Sequence, residues 1–343
     1  MTGLRLFQAM AGAAHGGAEA FFCRLALALT RAGQAQEVAI RRNPDRAAML
    51  RAGGVTVHEL RFGGAFDFGT KPALKRLLRA YQPDVTLCWM NRASDLLPPG
   101  RYCKVARLGG YYDLKYYRDC DHLIGNTADI VRYLVDEGWP RERAHYLPNF
   151  VDEAAAAPVL RASLDTPEGA PLILALGRLH KNKGFDVLVA ALAQLPGVHL
   201  WLAGEGPERG DLEARIAAAA LGERVHLLGW REDTAALLAA ADLLVCPSRH
   251  EPLGNVVLEG WAHCRPVVAA ASEGPRQLLR DRETGMLVPM EDADALARAL
   301  GEVIADPGLG RAMAAAGRAA FEAEYAEAAV VRQYRDFFER ITA

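Results

Sequence analysis

The strongest constraint on this chain is a rhythm. Short apolar runs alternate with helical stretches, and the alternation occurs in two successive series. In the first series, residues 4–10, 37–41, 55–60, 85–89, 105–108 and 121–127 read as strands, with helices over 20–32, 45–52, 70–81 and from 128 to 135. Gln82-Pro83 stops the third helix, and Asn126-Thr127 suits the cap of the fourth. In the second series the strands fall at 172–176, 198–203, 225–228, 241–245, 266–270 and 285–288. Helices are expected over 185–194, 211–221, 234–240, 293–305, 311–322 and 328–341. Strands that alternate with helices make mostly parallel sheets, so the fold class is α/β. A chain of 343 residues is also long for one core. Residues 1–152 are read as a first domain and 153–325 as a second, with 153–170, rich in alanine, as linker and 326–343 as a separate final helix. The two series match in pattern, without close repetition of sequence.

The second series holds the most informative stretch, CPSRHEPLGNVVLEGWAHCRP from Cys246 to Pro266. It follows a buried strand, and Glu251-Pro252-Leu253-Gly254 leads into a helix. A carboxylate at a strand's carboxyl end, beside a helix start, sits where open α/β sheets place ligands. Glu259 is expected two helical turns further on, near the same face. Neither acid has an obvious basic partner nearby in sequence. Arg178 and Lys183 follow another strand around the glycines of Gly177-Arg178-Leu179-His180-Lys181-Asn182-Lys183-Gly184, a placement that suits two cations holding a diphosphate. Basic residues in loops more commonly face solvent, and His180 and Lys181 are read that way. Gly204 and Gly206 suit a backbone turn beside a nucleotide, or simply a tight turn.

In the first series, Gly16 and Gly17 lie between a strand and a helix. They allow close backbone approach to an anion at the helix N–H groups, and a tight turn explains them equally. The segment Gly109-Gly110-Tyr111-Tyr112-Asp113-Leu114-Lys115-Tyr116-Tyr117 fits a sugar- or acceptor-binding loop, and it fits loop packing as well.

Other classes fit poorly. The six cysteines lack metal-ligand spacing and mostly lie in apolar surroundings, so reduced thiols and no metal site are expected. No signal-peptide pattern opens the chain, and no apolar run approaches membrane-spanning length, from which a cytoplasmic protein is expected. Through residue 150 there are 21 Lys and Arg against 14 Asp and Glu; from 151 onward, 19 against 28. The basic half suits an anionic acceptor or an anionic membrane face, and equally a chance difference between two solvated surfaces. Nucleic acid is not expected, since no signature of a binding module is present.

Taken together, Gly177-Arg178 with Lys183-Gly184, Gly204-Glu205-Gly206-Pro207, Glu251-Pro252-Leu253-Gly254 through Glu259, and Thr284-Gly285-Met286-Leu287-Val288-Pro289 resemble family 4 of the retaining glycosyltransferases. The seven residues between Glu251 and Glu259 match that family's paired-glutamate motif. The resemblance covers nearly the whole chain and implies the GT-B architecture, two Rossmann-like domains with parallel sheets facing across a cleft. It implies a nucleotide-sugar donor, UDP-linked by expectation, and no required metal or cofactor. Arg178 and Lys183 would neutralise the departing diphosphate, and Glu251 would meet the donor sugar hydroxyls. Glu259 would hold the ribose, while backbone at Leu253, Gly254 and Asn255 cradles sugar and phosphate. Gly16 and Gly17 would approach the diphosphate from the first domain, and the last helix would cross back to that domain.

The tyrosine-rich loop is similar to those of bacterial lipopolysaccharide-core and capsule transferases. That likeness implies a hexosyl or N-acetylhexosaminyl transferase with a saccharide or lipid-linked acceptor at the inner membrane face. One departure stands out. Many relatives carry a histidine where this chain has Arg107-Leu108-Gly109-Gly110-Tyr111, and neither His15 nor His122 matches that position. A nucleotide-sugar epimerase and a non-catalytic sugar-binding module remain as alternative readings.

Overall fold

The computed structural model describes residues 3–14, 16–63 and 67–343. The chain forms two compact units, Met1–Asn149 with Glu327–Ala343 as unit 1, and Phe150–Ala326 as unit 2. Unit 1 runs β1 (Arg5–Met10), α1 (Gly17–Arg31), β2 (Ala35–Arg41), α2 (Pro44–Ala52), β3 (Thr56–Leu60) and α3 (Thr70–Tyr81). It continues with β4 (Val85–Trp89), α4 (Asn91–Leu96), β5 (Cys103–Leu108), β6 (His122–Gly125), α5 (Ala128–Asp136) and β7 (Ala144–Tyr146). The seven strands order as β3-β2-β1-β4-β5-β6-β7, all parallel. Continuous apolar runs such as Val85–Trp89 are buried along their whole length, as a sheet covered on both faces requires.

Unit 2 repeats the plan: β8 (Leu172–Leu176), α6 (Phe185–Leu192), β9 (His199–Ala203), α7 (Arg209–Ala218), β10 (Val225–Gly229) and α8 (Thr234–Ala240). Then come β11 (Leu243–Cys246), α9 (Asn255–Ala262), β12 (Val267–Ala270), α10 (Glu273–Leu278), β13 (Met286–Val288), α11 (Ala293–Ala305) and α12 (Pro307–Glu324). Its six parallel strands order as β10-β9-β8-β11-β12-β13. Trp261 on α9 is fully buried and donates its indole N–H to the Thr284 carbonyl at 2.8 Å. Gly317 lets α12 pass directly over that ring, since a Cβ there would lie 2.3 Å from Trp261 Cδ1. This contact fixes α9, and with it the Glu251-to-Glu259 stretch. Truncating such an indole costs about 3–5 kcal/mol.

The chain then returns to unit 1 as α13 (Glu327–Thr342), burying Val330, Tyr334, Phe337 and Phe338. Arg31 pairs with Glu327 at 2.6 Å, and Arg107 Nε donates to the Tyr334 hydroxyl at 3.0 Å.

Residues 153–170 are no free linker. Arg161 Nε and Nη2 donate to the Ala240 carbonyl at 3.0 and 2.7 Å, and Nη2 pairs with Asp242 at 2.8 Å. The Trp201 indole donates to Thr166 Oγ1 at 2.9 Å. Alanine and proline suggested slack, but these anchors make the segment part of unit 2.

Candidate active site

In each unit the strand order reverses once, between β1 and β4 and between β8 and β11. Open α/β sheets bind ligands at such switch points, beyond the strands' carboxyl ends. In unit 2 the two loops there are 177–184, after β8, and 247–254, after β11, so Arg178, Lys183 and Glu251 issue from adjacent strands.

Lys183 Nζ and Glu251 form an ion pair, with side-chain exposures of 22 % and 9 %. Burial alone would depress the ammonium, but the adjoining Glu251 carboxylate, reinforced by Glu259, outweighs it and holds Lys183 above its ordinary range. The basic partner of Glu251 therefore comes from a different strand, 68 residues away, and is invisible to a local reading. Arg178 is exposed and has no acidic partner among the described residues. One cation is thus held by a carboxylate and the other is open to solvent.

The loops are pinned to each other. Arg249 binds Asp186 through two hydrogen bonds of 2.8 Å, and its backbone N–H donates to the Asn182 carbonyl at 2.8 Å. Gly274 N–H donates to the Glu251 carbonyl at 2.7 Å, and Glu251 N–H reaches Glu273 at 3.2 Å. Glu273 also meets His250 Nδ1 at 2.9 Å; burial would raise its carboxyl, but backbone N–H groups and His250 hold it below its usual range. Arg249, Asp186, His250 and Glu273 were not singled out from sequence. Their contacts span 23 to 63 residues, and no local pattern announces them.

Glu259 corrects a sequence expectation. Glu251 lies in the loop before α9, so the two acids do not share one helical face two turns apart. Glu259 sits one turn into α9, on the ridge of Asn255 and half-buried, while Leu253 and Gly254 form the turn into the helix. Gly254 caps α9 at φ 70°. Gly204 and Gly206 are explained by the chain itself: a Cβ at 204 would lie 1.8 Å from the Gly177 carbonyl oxygen, and one at 206 would lie 2.3 Å from that of Leu179. They let the loop after β9 support the loop that carries Arg178.

In unit 1, Gly16 and Gly17 open α1 at the carboxyl end of β1. Glu19, 5 % exposed, accepts from Ala13 N–H at 2.7 Å and occupies the space that a Cβ on Gly16 would need, its Oε2 lying 2.3 Å away. The Cβ direction of Gly17 is open. Glu19 lies in the first turn of α1, and no role for it was read from sequence. Arg107, at the end of β5, is buried against the rings of Phe21 and Trp89, 4.6 and 4.8 Å from their centroids. His122 lies on β6 beside His145, and His15 is outside the described residues. In the tyrosine loop Tyr117 is buried, Tyr112 is half-buried, and Tyr111 and Tyr116 are exposed. Tyr111 meets Tyr133 edge-on at 5.2 Å, and Tyr117 bonds Asn91.

Among the described residues no three or more His, Cys, Asp or Glu side chains gather as metal ligands, and no helix is long and apolar enough to cross a membrane.

Residues 170–306 match the family described as Glycosyl transferases group 1. Over 325 residues the chain is 39 % identical to the lipopolysaccharide core biosynthesis glycosyltransferase LpsE of Rhizobium meliloti (strain 1021), covering 93 % of this chain and 94 % of that protein. The crystal structure of a glycosyltransferase from Rickettsia africae matches with a TM-score of 0.88 at 18 % identity, over 99 % of both chains. Anabaena HepE, solved in complex with UDP, matches with a TM-score of 0.83 at 22 % identity, over 98 % of this chain and 100 % of that one. At these identities the structural likeness speaks for the fold, which is the GT-B architecture.

Proposed function

The chain belongs to the group 1 glycosyl transferases, and on that premise we propose that it is a family 4 enzyme moving a hexosyl or N-acetylhexosaminyl group, with retention, from a UDP-sugar to a saccharide or lipid-linked glycan. The carrying observation is the Lys183–Glu251 pair at the switch point of unit 2, with Arg178 open beside it. Arg178 and Lys183 hold the donor diphosphate. As the bond from the anomeric carbon to the diphosphate oxygen breaks, they stabilise the charge that develops there. Glu251 keeps Lys183 protonated and turned inward, and its carboxylate accepts from a donor sugar hydroxyl. Glu259, one turn along α9, takes the ribose. The N–H groups at the start of α9, around Leu253, Gly254 and Asn255, face the sugar and phosphate. Gly17 keeps a backbone approach open in unit 1, and Gly16 makes room for Glu19. No step in this scheme calls for a metal.

The relative LpsE is named for lipopolysaccharide core synthesis, which supports a glycan acceptor of that kind. Such an acceptor would put the protein in the cytoplasm, at the anionic inner face of the membrane. Nucleic acid has no part in the reading.

Titration calorimetry against UDP, GDP and ADP tests the proposal. UDP should bind, and Arg178→Ala and Lys183→Met should each weaken it about 10- to 100-fold. Glu251→Gln should weaken UDP binding by releasing Lys183 and should slow sugar transfer about 100-fold. Failure of all three nucleotides to bind the wild-type chain would overturn the donor assignment.

A further inference from the structure

The outer face of α3 handles its charges unlike several other helices. On some other helices arginines pair with acids one turn away: Arg209 with Glu205 and Glu213, Arg215 with Asp211, Arg318 with Glu322. On α3, Lys71, Lys75, Arg76 and Arg79 are all exposed, the helix contains no Asp or Glu, and none of the four pairs with an acid among the described residues. Lys71, Lys75 and Arg79 recur every fourth residue and line one ridge, with Arg76 beside it. The opposite face is anchored by Leu74 and Leu78 in the unit 1 core.

The one acid just before the helix is already committed. Asp67 accepts from the N–H groups of Gly63, Gly69 and Thr70 and from the Thr70 hydroxyl. Phe68 follows it and is 80 % exposed. A basic helix is usually a solvated face, and a lone exposed Phe needs no explanation. Their meeting on one element, with no acid to balance it, has the composition of a surface that lies against lipid.

We propose that the outer face of α3, led by Phe68, docks this protein on an anionic lipid bilayer. The four cations are drawn to headgroup phosphates, and Phe68 enters the boundary between headgroups and chains. Four cations without counter-charges match an anionic surface and do not match a zwitterionic one. The inference gives a surface to the lipid-linked acceptor reading. Vesicle binding needs neither donor nor acceptor, so the two can fail separately.

The experiment is co-sedimentation of the whole chain with vesicles of phosphatidylcholine alone, and with phosphatidylglycerol making up about one third of the lipid. Binding should need the anionic lipid and should weaken steeply as salt rises from about 0.05 to about 0.5 M. Each cation strengthens binding roughly fivefold, so Lys75→Gln with Arg76→Gln should weaken it roughly 25-fold. Phe68→Ser should weaken binding without flattening the salt dependence. These side chains are exposed and unpaired, so circular dichroism melts should match wild type. Equal binding by the wild type and the double variant, no binding to anionic vesicles at low salt, or no effect of Phe68→Ser would each overturn the proposal.

Discussion

Lys183 and Glu251 stand close enough that neither can be replaced without stranding the other, and the size of that effect can be worked out. Lys183→Met leaves a carboxylate of 9 % side-chain exposure without its cation, and Glu251→Gln leaves an ammonium of 22 % exposure without its anion. Breaking a fully buried pair in this way costs about 3–5 kcal/mol. Here Lys183 keeps some contact with water, and Glu259 still acts on it, so each single change should cost about 1–3 kcal/mol. The double change removes both charges at once and should cost no more than the worse single one. The coupling is then at least the smaller single cost, about 1–3 kcal/mol, above the roughly 0.5 kcal/mol within which independent sites add. Urea unfolding of the four proteins gives it, read as midpoint shifts at constant slope. Trp201 and Trp261, both fully buried in unit 2, report the loss of that core by fluorescence. If the two single costs simply add up in the double variant, the carboxylate does not hold the ammonium, and the argument for a poised diphosphate cation fails.

Two further outcomes follow from packing and titration. Gly206→Ala would push a methyl group against the Leu179 backbone at 2.3 Å, so it should cost about 1–3 kcal/mol and weaken UDP binding through the Arg178 loop. An unchanged thermal midpoint and UDP affinity would refute the mutual support of those loops. In unit 1, burial first, and then His122 at 3.0 Å with Arg340 and Arg141, holds His145 at about 4, below its ordinary 6.5. The folded state keeps the ring neutral while the unfolded chain protonates it. This contribution is therefore complete above pH ~6.5 and drains away towards pH ~4, by about 2 kcal/mol after allowance for partial exposure. Urea midpoints across that range should flatten in His145→Gln, and an identical slope would sink the assignment.

What the sequence could reveal tracked the range of the forces involved. The βα rhythm is local, so most strands and helices were legible from it, several to the residue, such as Thr70–Tyr81 and Ala293–Ala305. The short elements β7, α4 and α10 were missed, being three to six residues long with no periodicity to read. Glycine-marked loops pointed to the right strand ends, because a turn beside a switch point leaves a compositional trace. The reason for a glycine was harder to see. Gly204 and Gly206 answer to the backbone of the neighbouring loop, a contact between strands that adjoin only after folding. The same holds for Glu251, whose cation comes from β8's loop, and for Glu19, whose carboxylate folds back on its own glycines. The alanine-rich run after residue 152 misled because composition reports average stiffness, whereas one arginine, Arg161, decides where the segment lies.

Unit 2 is inserted into unit 1, since residues 150–326 separate β7 from α13. During synthesis, all seven strands of unit 1 leave the ribosome before the helix that covers them. Until residue 338 is made, Arg107 lacks the Tyr334 hydroxyl, and the apolar surface that receives Phe337 and Phe338 stays open to water. The half made first is therefore completed last. For all that time the nascent chain carries a sticky face while unit 2, contiguous in sequence, is free to fold. A fragment stopping at residue 149 would keep that face permanently, so no single cut yields two whole domains.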